Sequence, residues 1–162
     1  MIRISPSVPD SIRHFRTNPW PHQRTLVTPR KNMASFLSAL LAVFSVDRGA
    51  ASTDQVVFEP DSFLELLKDR DLAIENYWAF SAEASNSEDV AVLLNAMLSD
   101  WIDFLFVPSP TSFAIYADHD EFLTLYVPTS SALDHLSDQL KLVGFAFEDW
   151  YLRPSGGEGI WR

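Results

Sequence analysis

The order in which hydrophobic periodicities succeed one another limits the folds open to this chain more than any other feature. Helical stripes come first, and clear alternation appears only beyond residue 111. Residues 33–46 place Met33, Phe36, Leu37, Leu40, Leu41 and Phe44 on one helical face, with Asn32 as a candidate N-cap. The other side of that helix (Ala34, Ser35, Ser38, Ala42, Ser45) is small and uncharged, which predicts burial on more than one side. Ser62 with Glu65 forms a capping-box pattern ahead of Phe63, Leu66 and Leu67, with a break expected near 68–71. Ser85 with Glu88 forms a second, ahead of Val90, Leu93, Leu94, Met97, Leu98, Trp101 and Ile102.

Strand signals are shorter. Val56 to Phe58 reads as a brief strand after a 47–55 loop, and Phe104 to Val107 as another, stopped by Pro108 and Pro110. Residues 112–127 read as a β-hairpin. Phe113, Ile115 and Ala117 alternate with Ala114, Tyr116 and Asp118, and Leu123, Leu125 and Val127 alternate with Phe122, Thr124 and Tyr126. Leu133, Leu136, Leu140 and Val143 make a helical stripe, with an N-cap among Thr129–Ser131 and Gly144 at its C-terminal end. Residues 145–152 read as a final strand, aromatic on both faces. This succession predicts an α+β fold: a small, mainly antiparallel sheet, built from the 112–127 hairpin and the 145–152 strand, against three to four helices on one face. There are no internal repeats.

Charge divides the chain differently. The formal net charge is -10. Residues 1–32 hold six basic residues against one acid, a net of +5, and the remainder holds six against 21, a net of −15. The first 32 residues also hold five of the ten prolines and show no period, so they read as an extended basic arm with Ile12, Phe15, Trp20 and Leu26 free to dock. The expected domains are that arm, a single acidic domain over 33–153, and a Gly-rich tail over 154–162. The expected location is the cytoplasm. Export or organelle import is the alternative, with residues 1–51 acting as a targeting segment, because the Arg-rich start runs into an apolar stretch ahead of Gly49-Ala50-Ala51. No apolar run is long enough to span a membrane.

Chemistry is thinly marked. The chain has no cysteine, which excludes disulfide scaffolds, thiolate metal sites and cysteine nucleophiles. No serine lies in a G-x-S-x-G turn, and Gly156-Gly157-Glu158-Gly159 lacks the Lys-Ser/Thr of a phosphate loop. Carboxylate pairs such as Asp100 with Asp103, or Glu148 with Asp149, are expected by chance among 22 acids. His135 falls outside its helix's apolar stripe and should face solvent. No catalytic residue, metal site or cofactor is assigned. The most polar cluster is Asp118-His119-Asp120-Glu121, which reads first as an anionic contact patch on a hairpin turn and, as an alternative, as a metal-binding or enzymatic centre.

Tyr116, Tyr126, Trp150 and Tyr151 lie beside these acids and complete the candidate binding set. Aromatic anchors ringed by carboxylates suit a basic protein surface, and the acidic body would repel nucleic acid. The leading expectation is therefore a small acidic protein-binding module. In size, charge and lack of cysteine the chain resembles the bacterial immunity proteins, small acidic inhibitors of basic nuclease-type toxins. That resemblance of type is carried by composition and by no motif, and it implies an inhibitor's function. A further alternative is a structural subunit that forms homo-oligomers through residues 1–46.

Overall fold

Alternation in the hairpin extends to a whole sheet. The computed structural model describes residues 1–153. Its elements are β1 (Ile2–Ser5), α1 (Asp10–Thr17), β2 (His22–Val27), a 3₁₀ turn (Arg30–Asn32), α2 (Met33–Phe44), β3 (Gly49–Gln55), α3 (Asp61–Asp69), β4 (Ser81–Ala84), α4 (Ser87–Ser99), β5 (Asp103–Pro108), β6 (Ala114–Ala117), β7 (Phe122–Val127) and α5 (Ser130–Leu142). Seven strands form one sheet in the order β1-β4-β3-β5-β6-β7-β2. Every neighbouring pair is antiparallel, and the architecture is α+β.

The two faces of the sheet are both covered, for a reason visible in the hairpin. Phe113, Ile115, Ala117, Leu123, Leu125 and Val127 point to the face packed by α2–α5, where they meet Phe36, Leu40, Leu93 and Leu136. Ala114, Tyr116 and Tyr126 point the other way and pack with Leu105 and Val107 against Ile12 and Phe15 of α1. β5, central and apolar at alternate and intervening positions alike, is buried along its whole length. Helices therefore lie on both faces rather than one, four on the first and α1 on the second.

Residues 1–32 are not an extended arm. They supply both edge strands, β1 and β2, as well as α1. Their prolines delimit elements instead of keeping the stretch irregular: Pro9 takes the N-cap position of α1, and Pro29 that of the 3₁₀ turn. Ile12, Phe15 and Leu26 are buried, and the Trp20 ring lies edge-on to Phe15 at 5.4 Å. The folded unit thus begins with β1 rather than at residue 33. Residues 1–51 belong to it, furnishing two strands, two helices and the start of β3, so their loss as a targeting segment would dismantle both edges. The predicted 154–162 tail lies outside the described residues.

Two further expectations are corrected. Residues 145–152 form no strand: after Gly144, at φ +91°, the chain tucks Phe145 against Phe36 (ring centroids 5.3 Å apart) and then touches the β2 edge through one backbone bond, Glu148 N–H to the Thr25 carbonyl (2.7 Å). The strand near residue 56 lies earlier, over the predicted loop, as β3. Its small residues have a packing cause, since a Cβ on Gly49 would come within 2.5 Å of Phe106 Cζ. Among the described residues, no helix is long and apolar enough to cross a membrane.

Candidate functional site

The 118–121 turn is built by its own first aspartate. Asp118 Oδ1 accepts hydrogen bonds from the Asp120 and Phe122 amides, each at 3.0 Å, and closes the turn between β6 and β7. Glu121 takes the left-handed conformation, φ 74°, that a glycine would otherwise fill. Asp118 Oδ2 faces inward and receives Arg153 Nη2 at 2.6 Å. His119 also turns inward: its amide donates to Asp103 Oδ1 at 2.6 Å, and its Nδ1 lies 2.8 Å from the same oxygen.

Electrostatics follow from that geometry. The hydrogen bond to Asp103 raises the His119 pKa above its ordinary value. Burial raises Asp103, and the bonds from His119 only partly offset it. A second ionic group lies under α1, where Arg16 Nη2 donates to Asp54 Oδ1 at 2.7 Å. The Asp54 side chain is only 4% exposed. Loss of water pushes its pKa up to about 6, against the opposing charge of Arg16 and a hydrogen bond from Tyr116. Tyr116 is raised in turn, by burial first and by the Asp54 charge second.

The candidate residues thus separate into two groups. Tyr116, Tyr126 and Asp118 are buried in the free chain, so none of them is presented on its open surface. His119 is half-buried, whereas Asp120 and Glu121 are exposed. The structure brings Asp120 and Glu121 to the same corner as Trp150 and Tyr151. Phe122 links them: its ring stacks on Tyr151 at 4.5 Å and meets Trp150 edge-on at 5.9 Å. Trp150 is 72% exposed, and its indole N–H donates to Glu148 Oε2 at 2.8 Å. Asp149 is exposed beside it. Three clustered rings rimmed by Asp120, Glu121, Glu148 and Asp149 form one acidic, aromatic corner.

The turn acids do not converge on a metal. Asp118 is engaged by Arg153 and His119 by Asp103, and among the described residues no group of three or more His, Asp or Glu is placed to hold an ion. Asp100 and Asp103 also act separately. Asp100 caps α3, accepting from the Ser62 and Phe63 amides at 3.1 and 2.8 Å. A groove of about 600 Å³ between β1 and α1 mixes Arg3 and Arg48 with Asp10 and Glu83. It lies apart from the aromatic corner.

Sequence reasoning missed Asp54, Arg16, Gln23, Thr124 and Arg153. Asp54 was hidden in an expected loop, and Arg153 stood at the end of an expected strand. A polar residue in an apolar, alternating strand was the available signal for Thr124. Compared with known proteins, the chain matches no family model, no curated protein and no solved structure.

Proposed function

We propose that this chain is a small acidic protein-binding module that docks a basic protein surface on the corner formed by Phe122, Trp150 and Tyr151. The observation that carries the reading is the coincidence of the exposed Trp150 ring, packed with the half-buried Phe122 and Tyr151, with Asp120, Glu121, Glu148 and Asp149. Large rigid rings anchor an interface at small entropic cost, and the surrounding carboxylates steer a cationic partner toward them. The first 32 residues support this reading because several of their cations are occupied elsewhere: Arg3 pairs with Glu83, Arg16 with Asp54, and Arg30 lies over the Trp101 ring at 4.6 Å. The finer reading is an inhibitor of the immunity type, whose acidic corner covers a cationic site on an enzyme.

The test is a calorimetric titration with an arginine-rich decapeptide at low and high salt. Binding is expected at low salt, to weaken at least about tenfold at high salt, and to be lost in the triple variant Asp120→Asn/Glu121→Gln/Asp149→Asn. Equal binding by the triple variant would refute the assignment of the corner.

A further inference from the structure

Arg153 is held the way a protein holds a bound ligand. Its Nη2 donates to Asp118 Oδ2 at 2.6 Å and its Nε to Thr124 Oγ1 at 3.1 Å. The guanidinium carbon lies 4.5 Å from the centre of the Tyr116 ring and 5.5 Å from that of Tyr151. Gln23 grips the backbone on both sides of the residue: its Oε1 accepts from Arg153 N–H at 2.9 Å, and its Nε2 donates to the Arg153 carbonyl at 2.7 Å. That paired grip reproduces, from a side chain, the way a neighbouring strand would hold an extended peptide.

Apart from Tyr151, the walls belong to the sheet and its turn and not to the segment that fills it. Asp118, Thr124, Tyr116 and Gln23 come from β6, the turn after it, β7 and β2, and all are buried. The segment itself is lightly attached, with Asp149, Trp150 and Leu152 exposed and Glu148 N–H on the Thr25 carbonyl. β2 is an edge of the sheet, so its outer backbone groups are those an added strand would use. A carboxylate, a hydroxyl and an aromatic face around one planar cation select guanidinium over ammonium, because only the former stacks and donates in a fixed fork.

We propose that this pocket is a recognition site for an arginine in an extended segment of a basic partner, and that Arg153 fills it in the free chain. The proposal rests on the docking reading above and deepens it, naming the partner's side chain and backbone form. Docking would then be an exchange: the partner's arginine enters between Asp118 and Tyr116 and its backbone takes the Gln23 grip, while Arg153 withdraws and Trp150 and Tyr151 stay packed on Phe122.

Two measurements on the full chain test it. The first titrates Arg153→Ala with N-acetyl-arginine N-methylamide and with its lysine counterpart. Saturable binding of the arginine compound is expected, about tenfold weaker for lysine, and lost when Asp118→Asn is added. Should Arg153→Ala fail to fold, Arg153→Lys retains the cation and is expected to bind the arginine compound by displacing its own lysine. A folded variant that binds neither compound, or both alike regardless of Asp118, would overturn the pocket. The second follows hydrogen exchange of the Arg153 amide, held by Gln23 Oε1, in the unaltered chain with an arginine-rich decapeptide at saturation. Faster exchange is expected with the arginine peptide and not with an oligolysine peptide. Unchanged protection of that amide overturns the exchange, and if the peptide still binds in a manner that needs Asp120, Glu121 and Asp149, the docking corner stands without it. Binding of the arginine compound by Arg153→Ala, with peptide binding indifferent to those three carboxylates, would instead retain the pocket and remove the corner.

Discussion

Asp54 carries its charge where the fold has removed water, and the consequence has a definite sign. Its folded pKa, about 6, lies above the unfolded value of 3.8. Protonation therefore favours the folded state: the contribution is fully present below 3.8 and is lost as pH rises through about 6. Asp54→Asn should remove that dependence. Relative to the variant, the unaltered chain is expected to lose up to about 3 kcal/mol between pH 4 and pH 7.5, read from urea unfolding at each pH. A constant difference across that range would contradict the burial of a charged Asp54. His119 has the same sign by another cause. Its raised pKa means that the bond to Asp103 helps most below 6.5 and fades as pH rises through the folded value. His119→Asn should flatten the stability profile above pH 6.5, and a profile unchanged there would show that the pair contributes nothing. Neither group was legible as a pair, because Asp103 and His119 lie 16 residues apart and meet only when β5 and β6 align.

Caps show how far elements could be read locally. The stripes of α2, α4 and α5 were evident, since each supplies its own buried face. Their starts were less so. The S-x-x-E at Ser62 is bypassed by Asp100, which caps α3 from 37 residues away, and the one at Ser85 is displaced by Asn86, whose side chain accepts from Asp89 N–H at 2.8 Å. Thr129 does cap α5, accepting from Ala132 N–H at 3.1 Å. Asp100→Ala should cost about 1–3 kcal/mol because it strands two amides, one of them buried. Asn86→Ala should cost about 1 kcal/mol. Denaturant unfolding of the two variants checks the order, and a larger loss for Asn86→Ala would contradict it. β3 and β4 were illegible for a packing reason. GAASTDQ and SAEA carry small residues without alternation, because β3 must admit the Phe106 ring and both lie between other strands. The second face of the sheet depends on α1, so Phe15→Ala should cost about 3–5 kcal/mol by opening a cavity against Trp20 and Tyr126. A loss under 1 kcal/mol by thermal unfolding would mean that α1 is not a structural layer.

At the scale of the molecule, the contrast between +5 and −15 takes a different meaning once the chain is folded. The basic stretch is part of the sheet, and several of its arginines are matched within the chain, so the acids at the Asp120–Glu121 and Glu148–Asp149 corner have no such counterpart from Arg3, Arg16 or Arg30. Composition disclosed the acidic character and the aromatic anchors. It did not disclose which rings were exposed, because Tyr116 and Tyr126 differ from Trp150 only in the face and segment that carry them. The central claim is that a basic partner docks at that corner. Amide and indole chemical-shift mapping during titration with an arginine-rich decapeptide tests it most directly. The shifts should concentrate on the Trp150 indole N–H and on Asp120, Glu121 and Tyr151. Shifts centred instead on the groove between α2 and α5, around Ala42 and Val143, would contradict it.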